Sequence, residues 1–383
     1  PLIFGLDVIH GYSTIFPIPL GLASSWDQEI VERAASVAAT EARSEGIHWT
    51  FAPMVDIARD PRWGRIAEGA GEDPYLGAAI SRAGVSGFQG EDLADANAVV
   101  ACPKHYVAYG GAEGGRDYNT VDVSERTLRE IYLPPFKAAI VDAGAGTVMS
   151  AFNDLNGVPA SANGHTLSDI LRKEWGFGGF VVSDWNSVGE LVNHGIAGDL
   201  AGASKEAVAA GVDMDMCADA YRRGLVELIK GRRLPGKAID GAVRRILRIK
   251  FKLGLFERPY VDPGLARKVI KSRGNIDVAL KAARRSIVLL RNEDGLLPLR
   301  KDIGSIAVSG PLADDHSAPL GSWSCHGDSK DVVTVLDGIK AKVDDEVKVL
   351  YAKGCDLDRD STEGFDDAVK VAKGSEVAIV VVG

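Results

Sequence analysis

The residues of this 383-residue sequence best suited to chemistry stand where apolar runs give way to polar groups. The sharpest case is Phe180-Val-Val-Ser-Asp-Trp-Asn, in which the first three side chains suit a buried strand while Asp184 and Trp185 emerge at its end. A carboxylate in that setting can serve as a nucleophile, or it can cap the next helix by accepting free amide protons. Trp185 adds a flat apolar face. Lys104 and His105 follow Val99-Val-Ala-Cys-Pro, Asp7 follows Leu2-Ile-Phe-Gly-Leu, and Asp56, Asn153 and Asp213 or Asp215 stand near similar ends. Carboxylates that accept, beside Lys, Arg and His that donate, suit a substrate carrying many hydroxyl groups.

Each of these residues also has a plainer reading. Lys104 could be a surface lysine, His105 a structural histidine and Asp7 a turn former before His10-Gly11. Arg65 closes Arg59-Asp-Pro-Arg-Trp-Gly-Arg, a loop dense in turn formers, whose arginines could simply pair with Glu68, Glu72 and Asp73.

The elements that would position these groups alternate. Short apolar runs over 2–7, 49–56, 98–105, 147–153, 179–184 and 212–216 read as strands. Stretches of helical period cover 30–44, 75–88, 128–143, 167–175, 205–210 and 221–230. This is the pattern of a parallel α/β fold, and about 250 residues of it, with polar groups at the strand ends, favours a (β/α)8 TIM-like barrel over an open sheet. In a barrel those ends converge on one mouth. The strand count falls short of eight even with a weaker extended segment at 19–23, so the first strand and helix are expected to be missing or replaced by irregular chain. An open doubly wound sheet is the alternative, but Gly110-Gly-Ala-Glu-Gly-Gly lacks the spacing of a nucleotide fingerprint.

A basic amphipathic helix over 234–256 closes this first domain, residues 1–256. Residues 257–290 form a linker rich in turn formers around Pro259-Tyr-Val-Asp-Pro-Gly, then a helix over 271–290. Residues 291–383 read as the start of a second α/β sandwich domain, with strands at 305–309, 347–352 and 377–382 and a helix at 365–373. The apolar run at its end reads as a truncation.

Composition narrows the function classes. A net charge of -9 and the lack of a basic tract argue against a nucleic-acid partner. No apolar run approaches the roughly 20 residues of a membrane span, and no targeting signal opens the chain. The four cysteines, Cys102, Cys217, Cys325 and Cys355, lack C-x-x-C spacing and read as reduced thiols, although a Cys325–Cys355 bridge is open. The histidines form no H-x-x-x-H pair. Neither a metal nor a cofactor is expected.

Taken together, Gly5-Leu-Asp-Val-Ile-His-Gly, Arg59-Asp-Pro-Arg-Trp-Gly-Arg, Glu72-Asp-Pro-Tyr, Lys104-His-Tyr-Val-Ala-Tyr-Gly, Met149-Ser-Ala-Phe-Asn-Asp-Leu-Asn-Gly, Gly179-Phe-Val-Val-Ser-Asp-Trp and Gly211-Val-Asp-Met-Asp-Met resemble glycoside hydrolase family 3, most closely its bacterial β-glucosidases of periplasmic type. The resemblance continues through Gly321-Ser-Trp-Ser and Val380-Val-Val-Gly in collinear order. It implies a retaining exo-β-glucosidase acting on β-glucosides or oligosaccharides, periplasmic or secreted. Asp184 falls on the family's nucleophile, and Asp7, Arg65, Lys104 and His105 fall on residues that hold the sugar. Trp185 matches a ring beside the nucleophile, while Met149 and Phe152 fall on the pocket wall. Phe152 departs from the Tyr often found there, which removes a hydroxyl contact.

Retaining hydrolysis needs a second carboxyl group as general acid/base. By the resemblance it is a Glu reached just after Val380-Val-Val-Gly, so a further segment or chain is expected to supply it. Glu113, in the glycine-rich loop after His105, is the best substitute within the sequence. That loop contains no His, which counts against the family's N-acetylglucosaminidases. A β-xylosidase or broad exo-glycosidase of the same family is the nearest alternative, and a non-catalytic sugar-binding protein is the alternative from another class.

Overall fold

A computed structural model describes all 383 residues, Pro1–Gly383. They divide into two compact units, Pro1–Ile287 with Trp323–His326, and Val288–Ser322 with Gly327–Gly383.

The first unit is mixed α/β and its strands run parallel. Gly5–Leu6 pairs with Trp49–Thr50, Trp49 bridges to Val100 and Met54 to Lys104, Tyr106 bridges to Ser150, Thr147–Ser150 pairs with Phe180–Ser183, and Val182 bridges to Met214. Six segments therefore lie side by side in sequence order, all pointing one way, and their last residues share one end. No bridge returns from 212–216 to 2–7, so the pairing does not close into a ring. The strand Phe180–Ser183 is wholly buried, which is why its run is apolar. Its entry is fixed by close backbone approach: a Cβ on Gly179 would lie 2.0 Å from the Gly146 carbonyl oxygen.

Helices cover the outside. Gln28–Ser44 starts where Asp27 accepts from the Ile30 amide, and Pro74–Gln89 where Asp73 accepts from Leu76, with Pro74 in the first turn where its missing N–H costs nothing. Helical chain also runs from Glu125 to Asp142, His165 to Glu174, Leu200 to Ala210, Ala220 to Lys230 and Gly236 to Lys252. The 205–210 stretch is thus the end of a longer helix, and Ser187–Asn193 is a helix that periodicity does not reveal.

Two expectations fail locally. Pro19–Ala23 is helical rather than extended: Pro19 presets the first turn, and Leu22 and Ala23 bury on one face. The helix expected over 271–290 is Arg273–Arg285, and Ile287-Val-Leu-Leu beyond it is exposed and irregular. No helix is long and apolar enough to cross a membrane.

The second unit holds a parallel three-stranded sheet in the order Lys348–Ala352, Ser305–Ser309, Val377–Val380. Helix Phe365–Lys373 lies between the last two strands in sequence, and Val335–Lys342 is a helix the sequence reading missed. All four cysteines are free.

Candidate active site

The shared end of the parallel segments opens into a cavity of about 520 Å³. All eight sequence candidates line it: Asp7, Arg65, Lys104, His105, Met149, Phe152, Asp184 and Trp185. They come from four of the six segments and the 59–65 loop, so the topology and not the local sequence gathers them.

Asp184 stands directly after Phe180–Ser183 and is 8% exposed. Its Oδ1 accepts from the Trp185 amide at 2.6 Å, whereas Oδ2 is buried with no hydrogen-bond donor, 3.4 Å from His105 Nε2. It does not cap the following helix, whose first turn receives no side-chain bond. Burial pushes the Asp184 carboxyl up to about 6; the Trp185 amide, Lys104 and Arg65 pull the other way, and Asp7 adds to the rise. The nearby cations thus offset burial only in part.

Around it the charges are paired. Lys104 Nζ donates to Asp7 Oδ1 at 2.6 Å and lies 5.5 Å from the centroid of the Trp323 ring, within cation–π range. Arg65 forms a two-point pair with Glu68, at 2.7 and 3.1 Å, and its Nη2 lies 3.2 Å from His105 Nε2. Arg65 therefore pairs with an acid, as its plainer reading has it, and also lines the cavity. Arg62 pairs with Asp60 at the surface. Asp56 Oδ2 accepts from both the amide and Nδ1 of His105, at 2.9 and 2.8 Å. Burial, then Arg65 and Lys104, hold the His105 imidazole well below its usual range, so the ring is neutral.

Other strand-end groups do different work. Asp213 is consumed internally: Arg172, Arg245 and the Val181 amide all donate to it. Asp215 accepts from the amides that open the helix Ala220–Lys230. Asn153 is buried and donates to the Asp154 carbonyl. Glu113 is exposed and does not line the cavity, although Tyr118 further along the same loop does.

The cavity also contains residues that sequence reasoning did not pick out: Phe51, Tyr118, Asn186, Glu190, Met216, Cys217 and Trp323. Trp323 is the notable one. It belongs to Trp323–His326, a stretch flanked in sequence by the second unit but packed with the first, where the His326 amide donates to the Tyr12 carbonyl. The motif Gly321-Ser-Trp-Ser was its only signal. Trp185 and Trp323 stay 65% and 46% exposed, unusual for indoles and suited to stacking on a ring that enters the cavity. A buried carboxylate, a paired lysine and aspartate, a guanidinium and two open indoles can bind a polyhydroxylated ring and attack it.

The chain is similar to known proteins along its whole length. Residues 1–249 match the glycosyl hydrolase family 3 N terminal domain and residues 287–383 its C-terminal domain. The chain is 43% identical to a periplasmic beta-glucosidase of Salmonella typhimurium, covering 100% of this chain and 53% of that protein. It is 40% identical to a beta-xylosidase of Formosa agariphila, over 98% of this chain and 54% of that one. The crystal structure of a beta-glucosidase from Listeria innocua superposes with a TM-score of 0.95 at 40% identity, covering 100% of this chain and 53% of that chain. The chain thus spans about half the length of the curated relatives it matches. With two domain matches that together take in most of its sequence, the chain belongs to glycoside hydrolase family 3.

Proposed function

We propose that this protein is a retaining, exo-acting β-glucosidase that releases terminal non-reducing β-D-glucosyl residues through a covalent glycosyl–Asp184 intermediate. The observation that carries the reading is the placement of Asp184, buried at a strand end and facing a cavity lined by Asp7, Lys104, Arg65 and Trp185. Structures of the similar Listeria innocua enzyme with glucose, isofagomine and gluconolactone support a glucosyl ligand, and a mutant of it was solved with laminaribiose.

In this reading Asp184 attacks the anomeric carbon, the leaving oxygen takes a proton from a general acid, and water then cleaves the ester with net retention. Asp7, Lys104, Arg65 and His105 hold the sugar hydroxyls, Trp185 stacks beside the ring, and Met149 and Phe152 form the wall. The general acid/base comes from a further segment or chain, in keeping with relatives about twice as long. Residues 1–256 form the catalytic domain as a TIM-like barrel, 257–290 connect, and 291–383 are part of a second sandwich domain. The parallel, sequence-ordered pairing supports the barrel. A periplasmic or secreted location follows the name of the Salmonella relative.

The test is covalent labelling. A 2-deoxy-2-fluoro-β-glucoside with a good leaving group should inactivate the protein and modify the peptide carrying Asp184. Modification elsewhere, with Asp184→Ala still turning over, would overturn the assignment. The Formosa relative supports β-xylosidase as the second reading. Relative rates on aryl glucoside and aryl xyloside separate the two.

A further inference from the structure

His105 sits between two carboxylates and a guanidinium, and its three polar neighbours leave it a single arrangement of protons. Arg65 has donors and no acceptor, so Nε2, 3.2 Å from Arg65 Nη2, must present its lone pair. On the other side Asp56 Oδ2 already accepts the His105 amide proton, and at 2.8 Å from Nδ1 it accepts a second. That oxygen accepts whether or not Asp56 carries a proton, because its Oδ1 is buried without a partner and is the only place for one. A doubly protonated ring would aim Nε2–H at the Arg65 donor.

We propose that Asp56 is a positioning residue: it holds His105 as the neutral Nδ1–H tautomer, so that the imidazole offers a bare Nε2 to Arg65 and gives no hydrogen bond to Asp184. The proposal rests on the reading of Asp184 as nucleophile. It accounts for a feature otherwise without explanation, that Asp184 Oδ2 is buried 3.4 Å from a ring nitrogen and still has no donor. A carboxylate with one donor, the Trp185 amide, keeps more of its charge available for attack than one held from both sides. Forming the glycosyl ester removes that charge and with it the unfavourable contact between Oδ2 and Nε2. With its one lone pair given to Arg65 and no proton, Nε2 has nothing to donate to a substrate hydroxyl. Asp56 is placed for this by the parallel pairing of its strand with the next, in which the Val55 amide donates to the Lys104 carbonyl.

Two measurements on the full chain test this. Nitrogen-15 correlation of the His105 ring, assigned by the signal lost in His105→Gln, should find Nδ1 protonated and Nε2 bare near neutral pH. A proton on Nε2, or on both nitrogens, overturns the proposal. This readout does not depend on what the site hydrolyses, so it stands apart from the fate of the β-glucosidase reading and from the folding of any Asp56 variant. Second, Asp56→Leu removes the acceptor while Asp56→Asn keeps an oxygen for both N–H groups. On an aryl β-glucoside with a good leaving group, Leu should lower kcat by about 100-fold with little change in KM, and Asn should recover about tenfold of that loss. Equal kcat for Leu and Asn, or a Leu variant with wild-type kcat, overturns it.

Discussion

Lys104 Nζ and Asp7 Oδ1 lie 2.6 Å apart, and the lysine side chain is 3% exposed while the aspartate side chain is 30% exposed. The pair joins two segments separated by Trp49–Thr50, and its members act on Asp184 with opposite sign: Lys104 lowers the Asp184 carboxyl and Asp7 raises it. Asp184 must be ionised to attack, so kcat/KM should fall as pH drops through about 6. Lys104→Met should move that acid limb to higher pH, and Asp7→Asn should move it lower. If Lys104 and Asp7 hold the sugar as proposed, each variant should also lower kcat/KM by about 10–100-fold. A pH profile of each variant checks the signs, and shifts in the same direction would contradict the arrangement.

Asp184 should cost the fold stability where it is most useful to catalysis. Its ordinary value is 3.8 and burial raises it to about 6 in the folded state. Below the lower value both states carry the proton and nothing is lost. As pH rises from there through about 6, the unfolded chain ionises more readily than the native one, and the native state loses on the order of 3 kcal/mol relative to a neutral group. Asp184→Asn should therefore raise Tm by several degrees near neutral pH, with the gain vanishing below about pH 4. Thermal unfolding against pH reads this, and the same variant should lose hydrolysis by about 10⁴-fold.

Asp213 invites the opposite experiment. It stands near a strand end as Asp184 does, yet its side chain is buried and bound by Arg172, Arg245 and the Val181 amide. Asp213→Ala removes the carboxylate partner of two guanidinium groups and the acceptor of one buried amide, leaving Arg172 only its backbone carbonyls, which should destabilise the fold by about 3–5 kcal/mol. Chemical denaturation measures it. At temperatures where the variant stays folded, the pH of the acid limb should move little, because the main groups acting on Asp184 are the Trp185 amide, Lys104, Arg65 and Asp7.

The contrast between Asp184 and Asp213 marks how far the sequence could be read. Apolar runs that end in polar groups located the strands and put Asp7, Lys104 and Asp184 at strand ends, because burial along a strand is a local property written in one stretch of chain. What a polar group pairs with is not local. Arg172 and Arg245 reach Asp213 from 41 and 32 positions away. Trp323 reaches Lys104 from more than 200 positions away, and no periodicity carries that information. The helix Pro19–Ala23 was missed for a related reason: five residues are too few for a period to show, and only the burial of Leu22 and Ala23 against other elements decides it.

Trp185 separates binding from chemistry within one residue. Its amide donates to Asp184 Oδ1 at 2.6 Å, while its ring is 65% exposed at the cavity. Trp185→Ala keeps the backbone donor and removes only the ring. Loss of stacking worth about 1 kcal/mol should raise KM for aryl glucosides by roughly fivefold. The acid limb of the pH profile should stay where it is, because the part of Trp185 that lowers Asp184 is its backbone amide, which the variant keeps. Stability should change by less than about 0.5 kcal/mol, since so exposed a ring leaves little cavity behind. Steady-state kinetics across pH, with Tm measured on the same samples, checks all three. A displaced acid limb would mean that the indole sets the local dielectric around Asp184, and its role would then extend from holding the substrate to tuning the nucleophile.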